Sequence, residues 1–143
     1  MSDIVWAIKP GNDTGDKLLH RMENYATDIC AARNIQLRFE SEERVKNLPL
    51  SLEQRRNVYL IFKEAVNNAV KYSEAAHLWV EIREKNKCIH LLVKDDGRGF
   101  DPKTIREGNG LDNMRLRAAE IKAKLYIRST AGGGTQIELD PGA

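Results

Sequence analysis

Three polar residues whose side chains could do chemistry recur at helical spacing near the middle of this 143-residue chain. Glu64, Asn68 and Lys71 are four and then three residues apart, a spacing that stacks them along one line of a helix surface. The apolar residues of the same segment fall on the opposite face and predict its core side. They are Val58, Phe62, Ala65, Val66 and Ala69. A carboxylate, an amide and an ammonium group in one line could hold a metal ion and an anionic ligand.

A solvated helix face would show the same three residues, but two further features favour a site. Leu60 and Ile61 share the polar side, which is therefore not a simple wet face. The pair Asn67-Asn68 in mid-helix also costs helix propensity relative to Glu, Gln or Lys. Both features weigh against a purely solvated face, but on this helix alone the solvated face and the site both stay open.

A second group of residues is the run Asp95-Asp96-Gly97-Arg98-Gly99, which directly follows a stretch that predicts a buried strand. A carboxylate at the end of such a strand needs a hydrogen-bond donor as its partner, and the exocyclic amino group of a nucleotide base is one such donor. Gly97 and Gly99 allow close backbone approach to a ligand. A solvated tight turn is the alternative interpretation, whereas a calcium loop is excluded because its ligand spacing is absent.

A third segment has Gly108 and Gly110, with one residue between them, just before a helical pattern that begins at Leu111. Such a junction presents backbone N–H groups and the positive end of the helix dipole, which suit an anion. Arg115 and Arg117 follow within two turns and are long enough to reach a phosphate. By itself, a Gly-x-Gly segment more often forms an ordinary loop.

The last glycine-rich segment runs from Gly132 to Gly134 and precedes Thr135 at the start of the final predicted strand. A hairpin turn explains the glycines, while Thr135 could face the core or a pocket. Other nucleotide motifs are absent from the sequence, since it has neither a P-loop nor a Gly-x-Gly-x-x-Gly after an early strand. The three histidines and two cysteines lack metal-ligand spacing, which argues against zinc.

The elements that must position these residues follow an irregular order. Periodicity predicts helices over 16–33, 51–72 and 111–122 and strands over 35–39, 78–82, 88–94, 125–129 and 135–139. Asn34 is expected to end the first helix, Ser51 to cap the second, and 40–49 to form an acidic loop. This order predicts an α+β sandwich, in which a mixed β-sheet has its helices packed on one face.

Composition and charge narrow the class of protein. Hydrophobic residues are 41%, charged residues are 31% and the formal net charge is +2, a globular mix without an electrostatic footprint for nucleic acid. No apolar run reaches the ~20 residues of a membrane span, and no signal peptide is recognisable. Cys30 and Cys88 are isolated thiols, interpreted as small hydrophobes in a reducing compartment. We therefore expect a cytoplasmic domain without a nucleic-acid partner and without membrane contact of its own.

Four motifs stand in an order and at a spacing that a known family shares. KEAVNNAVKYS, DDGRGF, GNGLDNMRLRA and GGGTQIEL resemble the N, G1, G2 and Gly-Thr motifs of the gyrase, Hsp90, histidine kinase and MutL ATPase superfamily. Within it, the chain most resembles the ATP-binding domains of bacterial sensor histidine kinases, over residues 16 to 140. The resemblance implies a Bergerat fold, with ATP and Mg²⁺ as the bound cofactors.

The resemblance also implies roles for the matched residues. Asn68 resembles the asparagine that coordinates Mg²⁺, and Glu64 resembles the carboxylate that acts as a general base or orients metal-bound water. Asp95 is similar to the aspartate that accepts a hydrogen bond from the adenine amino group, and Thr135 to the threonine beside it. The other matched residues fall into three groups, which by this resemblance contact the phosphates and nucleotide, shape the base pocket and form a lid over the phosphates, in that order. They are Lys71 and Tyr72, Gly97 and Gly99, and Gly108, Gly110 and Leu111.

The activity that the resemblance implies is transfer of the γ-phosphoryl group of ATP to a histidine on a dimerisation domain, and from there to a response regulator. We expect residues 1–15 to be the linker from that domain and residues 16–143 to be the catalytic domain, unable to autophosphorylate as it stands. His20 is not the expected acceptor, because Arg21 follows it where kinases usually have an acidic residue. The full-length protein is expected to be a membrane-anchored sensor with this domain on the cytoplasmic side.

Two alternatives of different classes stay open. The same fold serves serine/threonine kinases of the anti-sigma-factor type, and it also serves non-catalytic modules in which nucleotide binding switches a protein interface. One departure concerns the turn after the lid helix, where relatives commonly have two glycines. This sequence has Lys122-Ala123-Lys124 there, so the detailed form of that turn is open.

Overall fold

The computed structural model describes residues 15–72, 75–97, 111–129 and 132–141, and the side chains at 71, 72 and 111 lie outside that description. The helices within these residues are α1 (Gly15–Ala32), α2 (Glu43–Lys46), α3 (Leu52–Tyr72) and α4 (Leu111–Glu120). The strands are β1 (Gln36–Ser41), β2 (His77–Lys85), β3 (Cys88–Asp95), β4 (Lys124–Ser129) and β5 (Thr135–Asp140). This order confirms the predicted one, apart from the additional short helix α2.

The five strands form one mixed sheet in the order β1-β2-β3-β5-β4. β1 pairs with β2 in parallel, and the other three pairings are antiparallel. Asn86 and Lys87 form the two-residue turn between β2 and β3, and their φ angles of 52° and 64° are those that a type I′ hairpin turn requires. The strand order puts β3 at the centre, with β2 on one side and β5 on the other.

One face of the sheet carries the hydrophobic core. Side chains alternate across a strand, and the pairing register puts the buried hydrophobic residues of β2, β3 and β5 on the same face. They are Leu78, Val80, Ile82, Ile89, Leu91, Val93, Ile137 and Leu139. The helices cover this face, so the α+β sandwich predicted from the sequence is confirmed.

The long helix α3 lies at the middle of the helical layer. Ser51 caps its start as predicted, because the Gln54 N–H donates to Ser51 Oγ at 3.1 Å and Gln54 Oε1 accepts from the Ser51 N–H at 3.4 Å. Phe62 is fully buried and makes edge-to-face contacts with Tyr25 of α1 and Phe39 of β1, each with ring centroids 6.4 Å apart. The residues predicted to form the core side of this helix are all buried. None of the helices described is long and apolar enough to cross a membrane.

The segment between β1 and α3 differs from its prediction. An acidic loop is expected there, but the structure has the single helical turn α2, whose Val45 is fully buried. Gly15 lies against this turn so closely that an added Cβ would be 1.8 Å from the Val45 carbonyl oxygen. One apolar residue among the charged residues of 40–46 is too weak a periodic signal to predict a helix.

The end of α4 settles the form of the turn that the sequence left open. Lys122 has a φ of 57°, its N–H donates to the Ala119 carbonyl at 3.1 Å, and the Ala123 N–H donates to the Ala118 carbonyl at 2.9 Å. These two bonds form a Schellman cap, in which glycine is the favoured residue at the left-handed position. Asn34 follows α1 with the same φ of 57° and ends that helix as predicted. Lys122 therefore occupies a position with a conformational cost for any side chain.

We expect Lys122→Gly to raise the free energy of unfolding by about 1 kcal/mol, because glycine adopts the left-handed conformation without the cost that an L-residue has. Urea unfolding measures the change. Lys124→Gly is the matched control, since Lys124 is an exposed strand residue without a positive φ, where glycine should lower stability. A K122G variant that is no more stable than the parent would contradict the assignment of this cap.

Candidate functional site

A half-exposed stripe runs along α3 on the side away from its core contacts. Its members are Leu60, Lys63, Glu64, Asn67 and Asn68. Their spacing of three and four residues puts them on one face of the helix. Ile61, which the sequence analysis placed on this side, is instead fully buried. The open face of α3 is therefore narrower than predicted.

A cavity of about 140 Å³ lies between this stripe and α4. It is lined by Leu60, Lys63, Glu64 and Asn67 of α3 and by Asn113, Met114 and Arg117 of α4. Its polar groups are one carboxylate, two amides and two cations, a set that suits an anionic ligand. Arg117 thus lies at the cavity, whereas Arg115 is exposed and does not line it.

Tyr25 connects α1 to this face of α3. Its hydroxyl donates a hydrogen bond to Asn67 Oδ1 at 2.7 Å, and Lys63 Nζ lies 5.6 Å from the centre of its ring. Burial and then the neighbouring Tyr59 raise the pKa of Tyr25 to about 12, so its hydroxyl stays protonated at neutral pH. The bond from Tyr25 engages the amide oxygen of Asn67 and so orients that side chain at the cavity wall.

Asp95 ends the central strand β3 and is 4% exposed. Its Oδ1 accepts a hydrogen bond from the Gly97 N–H at 2.8 Å, which closes a tight turn directly after the strand. The strand pairing puts Leu78 of β2 and Thr135 of β5 on either side of it. Asp95 is therefore a buried hydrogen-bond acceptor held in a defined orientation.

Thr135 begins β5 directly opposite Asp95 and is also buried. Its hydroxyl oxygen lies 2.8 Å from that of Ser129, and the Ser129 hydroxyl donates to the Gly134 carbonyl at 3.2 Å. Gly134 has a φ of 81°, and an added Cβ would lie 2.3 Å from the Asp95 carbonyl oxygen. A glycine at 134 is therefore what lets β5 begin so close to Asp95.

The carboxylate of Asp96 holds the same turn to the start of β2. Oδ1 accepts hydrogen bonds from the N–H groups of Ala76 and His77 at 2.9 and 2.8 Å, and Oδ2 lies 2.7 Å from His77 Nδ1. Burial acts to raise the pKa of Asp96, but the hydrogen bonds from His77 and Ala76 outweigh it and hold the pKa below its ordinary value of 3.8. Asp96 is thus a charged acceptor that joins two segments of backbone.

The structure brings the predicted residues together at two places. Glu64 lines the cavity between α3 and α4, and Asn68 lies one turn further along the same face. Asp95, Gly97 and Thr135 meet where β3 ends and β5 begins. The predicted positions Gly99, Gly108 and Gly110, and the side chains of Lys71, Tyr72 and Leu111, lie outside the described residues. The ligand-binding roles assigned to all of these residues stay predictions.

Sequence reasoning missed Tyr25, Ser129 and His77 as neighbours of the site. Tyr25 follows the apolar period of its helix, so its polar contact leaves no local signal. His77 lies in a strand and meets Asp96 through the pairing of β2 with β3. Of these three residues, Ser129 could have been predicted from the sequence. An antiparallel pairing of the last two predicted strands across their short connection puts it beside Thr135.

The comparison with protein families agrees with this geometry. Residues 53–142 match the family described as histidine kinase-, DNA gyrase B- and HSP90-like ATPase. The match covers more than half of the chain and includes α3 except for its first residue, the Asp95 turn and β5. The chain belongs to this family of ATP-binding domains.

The chain is also similar to sensor histidine kinases. It is 38% identical over 94 residues to the sensor histidine kinase YdfH of Bacillus subtilis (strain 168), a match that covers 63% of this chain and 23% of that protein. The structure of full-length ShkA in complex with AMPPNP superposes with a TM-score of 0.70 at 16% identity, over 88% of this chain and 29% of that one. The catalytic domain of the histidine kinase ThkA has a TM-score of 0.66 at 14% identity, over 87% of this chain and 92% of that one. The chain is an ATP-binding domain of the sensor histidine kinase type, and its match spans less than a quarter of the length of YdfH.

We expect Gly134→Ala to weaken ATP binding roughly tenfold and to destabilise the fold by about 2 kcal/mol, because the new methyl group collides with the Asp95 carbonyl oxygen. Gly132→Ala is the matched control. Gly132 has a φ of 80° and nothing within 4 Å of an added Cβ, so its variant has the same backbone cost without the collision. Calorimetric titration with ATP and urea unfolding measure both effects, and equal losses of ATP affinity in the two variants would contradict the close approach at 134.

Proposed function

We propose that this domain binds ATP with Mg²⁺ and transfers the γ-phosphoryl group to a histidine on a dimerisation domain of the same protein, for onward transfer to a response regulator. The observation that carries the proposal is Asp95, a buried and oriented carboxylate at the end of the central strand, in a chain of this ATPase family. The similarity to YdfH supports the sensor kinase role.

The adenine base is assigned to the end of the central strand β3, beside the start of β5. The Asp95 carboxylate is an acceptor for the 6-amino group of adenine, and a guanine base carries an oxygen there, which this carboxylate would repel. Thr135 stands beside Asp95 with its hydroxyl oxygen 2.8 Å from that of Ser129, so it provides a second polar group at the base. This arrangement supports a preference for ATP over GTP.

Mg²⁺ is assigned to the open face of α3. The residues present fit such an ion, because Mg²⁺ takes oxygen ligands and is usually held by one or two protein groups together with phosphate oxygens and water. Glu64 and Asn68 provide a carboxylate and an amide oxygen one turn apart on a half-exposed face. In the part of the chain that the structure describes, no three His, Cys, Asp or Glu side chains form a preformed metal cluster. A bound Mg²⁺ neutralises charge on the phosphates during phosphoryl transfer.

The phosphates are assigned to the region of the cavity between α3 and α4. Lys63 and Arg117 bring two positive charges to its wall, and Asn67 and Asn113 add amide groups. Phosphoryl transfer needs positioning and charge neutralisation more than covalent help from the protein, and these groups supply both. Glu64 lines the same cavity, and we assign to it the role of a general base or of a group that orients metal-bound water. Lys71 and Tyr72 are proposed as further nucleotide contacts.

We expect ATP with Mg²⁺ to raise the melting temperature of the domain, because a ligand that binds the folded state stabilises it by mass action. Asp95→Asn should abolish most of this shift, since an amide lacks the charge of the acceptor for the adenine amino group. Asp28→Asn, a change at an exposed position of α1, is the control that should retain it. A D95N variant with an undiminished ATP-dependent shift would rule out the assignment of the base.

We expect transfer of radiolabelled γ-phosphate to a separately supplied dimerisation hairpin from a sensor histidine kinase, giving a label that is lost in acid, as a phosphohistidine is. Asn68→Ala should reduce the initial rate by roughly a hundredfold or more, because it removes an assigned metal ligand. An acid-stable label on a small protein target would favour the serine/threonine kinase alternative instead. ATP binding without any transfer would leave the non-catalytic, nucleotide-switched module as the better description.

A further inference from the structure

The turn that carries Asp95 is tied to the start of β2 by a carboxylate that the proposed chemistry does not use. Asp96 receives hydrogen bonds from the N–H groups of Ala76 and His77, and its other oxygen contacts the His77 ring at 2.7 Å. The Asp96 N–H also donates to the His77 carbonyl at 3.4 Å. Both the backbone and the side chain of Asp96 are thereby fixed to one point of the sheet.

His77 is itself held in place on the outer face of the sheet. Its ring stacks on Trp79, with centroids 5.6 Å apart and an interplanar angle of 20°. Lys94 Nζ lies 5.7 Å from the centre of the Trp79 ring, and the two residues are cross-strand partners of β2 and β3. Asp96 is therefore bound to a half-exposed histidine whose ring is held by stacking on Trp79.

The hydrogen bond from the Gly97 N–H, which orients the Asp95 carboxylate, depends on the attachment of Asp96 to Ala76 and His77. Asp95 Oδ1 accepts from the Gly97 N–H, so the direction of the carboxylate follows the position of the peptide that joins residues 96 and 97. Gly97 places no steric limit on that peptide, because glycine populates both signs of φ. Among the residues that the structure describes, Asp96 restricts the peptide, since its own side chain and N–H are bound to β2.

We propose that Asp96 is a positioning residue for base recognition, which holds the turn so that the Asp95 carboxylate meets the amino group of adenine. This inference rests on the proposed function, in which Asp95 binds that amino group. Small displacements of an oriented group cost a large part of its effect, so a freely moving turn would lower selectivity for the base before it lowered binding of the phosphates. A purely structural role for Asp96 would instead weaken every ligand to the same degree.

The test compares ATP with purine riboside triphosphate, which is ATP without the 6-amino group, each titrated calorimetrically with Mg²⁺. The parent domain is expected to prefer ATP by roughly tenfold or more, the effect of one hydrogen bond to a charged group. Asp96→Ala should lower ATP affinity roughly tenfold while affinity for the analogue stays within about twofold, so that the preference is nearly lost.

Asp96→Asn provides the rescue. Its amide oxygen can accept from the N–H groups of Ala76 and His77, and its NH₂ group can donate to a neutral His77 ring, so the preference for ATP should return to within about threefold of the parent. Asp28→Ala, which removes an exposed carboxylate from α1, should leave both affinities unchanged. Urea unfolding of each variant reports the loss of stability separately.

If Asp96→Ala does not fold, His77→Ala replaces it, because that change removes the ring contact and keeps the two backbone hydrogen bonds. It should reduce the preference for ATP in the same direction by about threefold. Equal losses for ATP and the analogue, or an undiminished preference in the tested variant, would overturn the positioning role alone. A parent domain that binds both ligands equally would overturn the assignment of Asp95 and the positioning role together.

Discussion

The packing of α3 on the inner face of the sheet is the interaction on which the rest of the structure depends. Phe62 meets rings from α1 and β1, and its neighbours Ile61 and Val66 are fully buried beside it. Burying one such side chain contributes about 1.5–3 kcal/mol, so this interface outweighs any single polar contact among the residues that the structure describes. It also selects the site. The stripe from Leu60 to Asn68 is left half-exposed because the other faces of the helix are packed.

The position of β3 has a similar consequence for the other half of the site. β3 is the central strand and pairs with both β2 and β5. Two ladders of backbone hydrogen bonds therefore fix the position of the residue at its end. Asp95 is that residue. Gly134 lets β5 begin beside it, and Asp96 ties the following turn to β2. The backbone around Asp95 is thus held from both sides, and the Gly97 N–H orients the carboxylate before a ligand arrives.

Much of this could be predicted from the sequence, and the successes share a cause. The helices and strands, the cap at Ser51 and the end of α1 at Asn34 all depend on patterns within a few residues. The failures depend on contacts between distant segments. Tyr25 and Asn67 are 42 residues apart and Asp96 and His77 are 19 apart, so each pair is joined by the fold and not by a local motif. α2 was missed because a single buried valine holds it to the core.

The two halves of the site differ in how much of their structure exists before a ligand binds. On the proposed function, the base meets a buried carboxylate that is already oriented by the Gly97 N–H, so recognition of the amino group adds to selectivity. On the same proposal, the phosphates meet Lys63 and Arg117, which are long side chains on two separate helices and would lose rotamer freedom on binding. The entropy lost in ordering those side chains offsets part of the favourable binding free energy of the phosphates. Selectivity for adenine should therefore depend on the turn that follows β3. The affinity for the phosphates should instead depend on how α3, α4 and the metal ion are arranged around them.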